Sequence, residues 1–238
     1  MAYPVIEDII NGTGTGGTIS ITMPDDLALN ELILIYVTTY EAYVSNTLAL
    51  SSGNFVKLNS VSDAYAERQT CIIYGLAKAG TANNYLTVAL SSGTYGASYI
   101  VYRISGHGVY AKSDIDNDIY AHAACSYTTY ETLPLAVTNP SGSLYIASVS
   151  YTYTIVDMAA SLLWSDYTYR SHSQSSISTQ SIGWGYSMNL IKALWNHTQT
   201  SNVRTYLSTI VRIKPGSQGI VDTDGFGLYV PRNSIGIQ

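Results

Sequence analysis

LILIYVTTY, residues 32–40, opens with six apolar residues in a row, and LYIASVSYTYTIV, residues 144–156, is a second long segment of strand character with hydroxyls set among its apolar side chains. Side chains of a strand alternate between its two faces. An unbroken apolar run therefore marks a strand buried on both faces, or one at the centre of a sandwich. From Tyr145 onward, one face of the second segment carries Tyr145, Ala147, Val149, Tyr151, Tyr153 and Ile155, which can cover a core or a partner subunit. The other carries Ile146, Ser148, Ser150, Thr152, Thr154 and Val156, a hydroxyl strip that suits water or a polar contact.

Around these two segments the chain reads as all-β. TISITM (18–23), CIIYGLA (71–77), YLTVAL (85–90) and SYIVYRI (98–104) are short strands, separated by turn signals such as SSG (51–53), KAG (78–80) and SSGTYG (91–96). That spacing predicts an antiparallel β-sandwich of jelly-roll-like type rather than βαβ units. VDMAASLLW (156–164) is open to a two-turn helix, with Asp157 as its cap. MNLIKALW (188–195) is a second helix candidate, but its place beside the first copy's CIIYGLA favours a strand.

The second half echoes the first. Ile21-Thr22-Met23-Pro24 answers to Val137-Thr138-Asn139-Pro140, the two long strands follow, and YRISG (102–106) parallels VRIKPG (211–216), with Arg103 against Arg212 and Ile104 against Ile213. The shared order predicts two tandem related units at 17–108 and 130–216. A lead-in or arm at 1–16, containing the glycine-threonine stretch NGTGTGG (11–17), precedes them; a polar connector at 109–129 joins them, and a C-terminal strand or tail at 217–238 follows.

Composition narrows the role. Of 238 residues, 46% are hydrophobic and only 11% charged, against roughly 25% charged in ordinary soluble domains. The chain is folded rather than disordered on that balance, and its surface must be covered by neutral polar residues and tyrosine. The net charge of −5 comes with basic residues scattered singly, so the clustered positive charge of a nucleic-acid interface is absent. Charge repulsion equally does not oppose self-assembly. No apolar stretch is long enough to span a bilayer as a helix, and MAYPVIEDII lacks the basic start and apolar run of a secretory signal. Cys71 and Cys125 sit among apolar or small neighbours and read as buried free thiols rather than a disulfide.

Tyrosine is the anomaly: twenty-two, against two phenylalanines and three tryptophans. Strand propensity alone favours Phe as well. Tyrosine buries its ring while keeping its hydroxyl at water or a partner, as interfaces require. Tyr145, Tyr151, Tyr153, Tyr167 and Tyr169 are accordingly the candidates for contact between subunits, and Trp164, Trp184 and Trp195 those for stacking on a ligand.

Catalytic chemistry is thin. Asp114, Asp116 and Asp118 have alternate spacing that can aim oxygens at a calcium ion, but a solvated loop is the expected use, as it is for Asp222 and Asp224 in DTDG. His107, His122, His172 and His197 lie far apart with no zinc spacing. No nucleophile elbow surrounds a serine, and NGTGTGG lacks the strand and lysine of a phosphate loop. Arg103, His107 and Asp114 could share a surface, with a structural ion pair rather than catalysis as the outcome. No cofactor is expected, and no enzymatic activity.

GTISITMPDDLALNELILIYVTTY (17–40), an aromatic at Phe55, and the closing RISG (103–106) and IVRIKPG (210–216) together resemble virion proteins of tailed bacteriophages. Those show a Thr/Val-rich strand, a proline, a short turn and an Asp-Leu-Leu-hydrophobic strand, then a closing Arg-(Ile/Val)-x-Gly. Asn30-Glu31 departs from the pattern, standing where Gly-Asp is more usual. The resemblance implies a non-enzymatic structural component of the virion, at the capsid surface, tail or tail fibre. Its partners would be copies of itself and other virion proteins, with no nucleic acid or membrane. The alternative is a carbohydrate- or receptor-binding module of a tail fibre that takes a host surface glycan. A glycosidase, which needs two carboxylates roughly 5–9 Å apart in a groove, ranks third.

Overall fold

The computed structural model describes residues 3–14, 17–40, 49–50, 55–63, 68–79, 81–82, 84–89, 96–123, 129–131, 142–152, 159–160, 170–174, 177–185, 194–196 and 205–216. The first half contributes β1 (Val5–Gly14), β2 (Thr18–Thr22), β3 (Leu32–Tyr40), β4 (Ala49–Leu50), β5 (Phe55–Asp63), β6 (Arg68–Leu76), β7 (Tyr85–Ala89) and β8 (Gly96–Ser105). After a 3-10 turn at Lys112–Asp114, the second half contributes β9 (Ile115–Ala123), β10 (Thr129–Glu131), β11 (Leu144–Thr152), β12 (Ala159–Ala160), β13 (Arg170–Gln174), β14 (Ile177–Gly185), β15 (Leu194–Asn196) and β16 (Thr205–Ile213).

Among the described residues the fold is all-β and sandwich-like, with four antiparallel sheets. Their orders are β1-β8-β3-β6-β5, β2-β7-β4, β13-β14-β11-β16-β9 and β10-β15-β12. Read from its other edge, the second five-stranded sheet runs β9-β16-β11-β14-β13, which is the first sheet with eight added to every number. The three-stranded sheets stand in the same relation. Within each half the outer pairings nest, β1 with β8, β2 with β7 and β3 with β6, then β9 with β16, β10 with β15 and β11 with β14.

Two cores use the two faces of β3. Ile33, Ile35 and Val37 join Cys71 and Ile73 of β6 and Val101 of β8, against Ile19 and Ile21 of β2 and Leu86 and Val88 of β7. Leu32, Leu34 and Tyr36 face the other way, with Ile72, Ile100, Tyr102 and Ile104, against Leu144 and Ile146 of β11 and Val211 and Ile213 of β16. The second core joins the halves: β8 lies against β13 and β14, β1 against β13, and β5 against β9. This double burial is why residues 32–37 are continuously apolar. β2 and β7, which cover only one face, alternate buried and exposed residues instead.

Several segments differ from their sequence reading. The stretch at 11–14 belongs to β1, paired with β8 as far as Gly14↔Ala97. Its glycines serve packing, since a Cβ at Gly12 would collide with the Tyr99 hydroxyl, and a strand glycine often marks such close approach. The polar stretch after residue 111 contains β9, an edge strand whose outer side needs no apolar cover. The strand beside β11, placed as β6 is beside β3, is β14; of MNLIKALW, Leu194 and Trp195 belong to β15 and the rest lies outside the described residues. Leu34 pairs with Tyr74 and Ile146 with Trp184, so Tyr74-Gly75 corresponds to Trp184-Gly185. Ala159 and Ala160 of VDMAASLLW are strand; its other residues, Val137 to Pro140 and the tail at 217–238 lie outside the described residues.

Candidate functional site

The described chemistry includes an arginine held at the start of the central strand in each half. Arg103, next to last but one in β8, reaches the residue that leads into β3: its Nε donates to Glu31 Oε2 at 2.7 Å and its Nη2 to Oε1 at 3.2 Å. The Ala28 main-chain N–H also donates to Glu31 Oε2, at 2.8 Å. Glu31 is thus a buried carboxylate with a two-pronged partner, the arrangement that makes burial of the charge tolerable. The bond to Glu31 raises the Arg103 value further, against the effect of burial.

Arg212 repeats the device in β16. Its Nε donates to Ser143 Oγ at 2.9 Å, on the residue that leads into β11, and its Nη1 to Asp116 Oδ2 at 2.8 Å in β9. The residue one earlier has positive φ in both halves, 65° at Asn30 and 70° at Gly142. Register agrees, with Ile33 opposite Arg103 and Tyr145 opposite Arg212. Asn30 therefore takes a conformation that glycine adopts freely and Asn tolerates, and Glu31 supplies the carboxylate after it. Asn30 in the first half and Gly142 in the second are thus different residues with the same left-handed backbone.

Between the sheets lies a small polar centre. The Tyr36 hydroxyl donates to the Ile146 carbonyl at 3.2 Å, and its ring meets Tyr102 edge-on with centroids 5.7 Å apart. Ser148 and Thr209 share a buried hydroxyl bond of 2.6 Å. Burial pushes the Tyr36 phenol well above its ordinary value, with Tyr102 adding to the rise and Thr209 opposing it. The hydroxyl strip of 144–156 therefore begins as part of the joint, with Ser148 in a polar contact inside the molecule.

The sequence candidates fare differently. Tyr145 is 1% exposed and packed within the molecule. Burial also raises its phenol value, Arg212 opposing and Asp116 adding. Tyr151 lies on β11 opposite Ser178 and Tyr206; Tyr153, Tyr167 and Tyr169 lie outside the described residues. Trp184 and Trp195 fall on β14 and β15, and Trp164 lies outside. Asp114 accepts from the N–H groups of Tyr110 and Ala111, and Asp116 is held by Arg212, while Asp118 sits on β9 opposite Ile210. Among the described residues, no three His, Cys, Asp or Glu side chains gather as a metal site would require. Arg103 finds Glu31, not Asp114.

Cys71 is a free thiol in the first core, pushed up to about 12 by burial, with Lys57 opposing; Cys125 lies outside the described residues. The described tyrosines divide sharply: Tyr36 and Tyr102 are buried, whereas Tyr3, Tyr85 and Tyr110 are each more than half exposed. Sequence reasoning missed Glu31, Ser143 and Gly142 as parts of the locks. The signal was the shared step into Leu32 and Leu144, disguised because one half uses Asn-Glu and the other Gly-Ser.

No protein-family model, curated protein or solved structure matches this chain.

Proposed function

We propose that this chain is a structural component of a bacteriophage virion, at the capsid surface or in the tail, that acts by protein–protein assembly. In this reading its body is two tandem jelly-roll-like units of common origin. The observation that carries the reading is the pair of arginine locks. They join the turn before the long strand of the resembling motif, at Asn30-Glu31, to its close, at Arg103-Ile104, and the second half has the corresponding join at Gly142-Ser143 and Arg212-Ile213. Nested pairings and strand orders that differ by eight support the tandem arrangement. The low charge of the whole chain and the exposed rings of Tyr3, Tyr85 and Tyr110 support a surface used for contact with protein.

Mass in solution by light scattering, together with antibody location in intact particles, tests the proposal. Copies at fixed positions on a capsid or tail are expected. A stable monomer that never enters a particle overturns it. Replacing Tyr151 and Tyr153 together by Ser is expected to reduce incorporation into particles while leaving the monomer's Tm nearly unchanged. Unchanged incorporation with a large fall in Tm would assign those rings to the interior.

A further inference from the structure

The chain leaves β8 at Ser105 and runs through Gly106, His107 and Gly108 into the buried Val109. The end of β16 lies alongside. Gly216 N–H donates to the Gly106 carbonyl and Gly108 N–H to the Lys214 carbonyl, each at 2.8 Å, which sets His107 opposite Pro215 in an antiparallel bridge. The closing segments of the two halves are therefore bonded to each other, with His107 between them.

Both ring nitrogens of His107 are engaged. Nε2 is 2.8 Å from the Asn30 carbonyl, and Val109 N–H donates to Nδ1 at 3.1 Å. A carbonyl only accepts and an amide N–H only donates, so these partners require the neutral ring with its hydrogen on Nε2. The imidazolium would turn a second N–H toward that of Val109.

We propose that His107 is a pH-sensitive latch on the joint between the halves. The neutral ring ties the turn before β3 to the first residue of the connection that enters the shared core, and a proton on Nδ1 breaks the tie to Val109. Burial supports this as the largest influence, carrying the imidazole below its ordinary value over the smaller opposing effects of the Asn30 and Val109 main chain and of Glu31. The charged groups on the surrounding elements are Glu31 and Arg103, bonded to each other, Lys214 beside the bridge, and Lys112 and Asp114 in the 3-10 turn. Asp114 is occupied by the N–H groups of Tyr110 and Ala111.

The sign follows from the lowered folded value. As pH falls past about 6.5 the unfolded chain takes up the proton before the folded chain does. The ring's contribution to stability is complete above that pH, declines below it, and levels off beneath the folded value.

His107→Asn supplies a side-chain oxygen for Val109 N–H, two residues on, without a titrating group. Between pH 7.5 and 5 the full-length wild type is expected to lose about 2–4 °C more in Tm than this variant. Nitrogen NMR of the wild-type ring should show hydrogen on Nε2 and a midpoint below 6.5. Parallel losses of Tm in the two proteins overturn the proposal, as does hydrogen on Nδ1 or a midpoint at or above 6.5. Should the variant not fold, the wild-type titration decides alone.

Discussion

The two arginine locks share a backbone and differ in their charges. In the first half the carboxylate stands on the residue entering the central strand, and Glu31 is nearly buried beneath Arg103. In the second half that residue is Ser143, and the carboxylate sits across the sheet on Asp116, whose side chain is 34% exposed. The arginine is the more accessible partner in one lock and the buried partner in the other. What the two halves hold in common is therefore a place for a guanidinium and a turn of positive φ, rather than one particular ion pair.

Breaking each lock in turn separates these contributions. Arg103→Met leaves Glu31 buried with the Ala28 N–H, and is expected to cost about 3 kcal/mol, the lower end for a buried charge that loses its partner. Arg212→Met strands a serine hydroxyl and an aspartate that reaches water, at about 1–2 kcal/mol. Chemical denaturation of the two variants compares them directly, and an equal or reversed order would mean that exposure of the carboxylate does not set the cost.

The turns offer a second comparison. Gly142→Ala meets both a φ of 70° and the Tyr3 ring 2.7 Å from the new Cβ, so a loss of about 1–2 kcal/mol is expected. Asn30→Gly keeps the same conformation available and should change stability by less than about 0.5 kcal/mol. A large loss at Asn30 would show that its side chain, rather than its backbone, is what the lock requires. Tyr36→Phe belongs at the small end of the scale: loss of one buried hydroxyl donor at the joint is expected to lower stability by about 1 kcal/mol in the same assay.

Legibility followed the kind of constraint each residue meets. Double burial of β3 wrote itself into LILIYV, and the arginines were visible because Arg-Ile recurs before each closing glycine. A positive φ is a property of backbone, so Asn30 and Gly142 share it without sharing a letter. β14 escaped notice because Gly183, Gly185 and its polar neighbours look nothing like CIIYGLA, although register sets Trp184 where Tyr74 stands. β1 was obscured by Gly12, whose composition suggests a turn until the Tyr99 ring is placed against it. Among the described residues, burial within the fold accounts for five tyrosines, Tyr36, Tyr74, Tyr99, Tyr102 and Tyr145, and for Tyr145 this is the core option that its strand face left open.

The Tyr36 hydroxyl fastens to a main-chain oxygen, that of Ile146. Every amino acid brings the same carbonyl, so replacement of the side chain at 146 cannot delete this acceptor; only a displacement of β11 can. That fastening reports the position of one half against the other irrespective of the letter written at 146, and would persist through changes that erase all other likeness between the two.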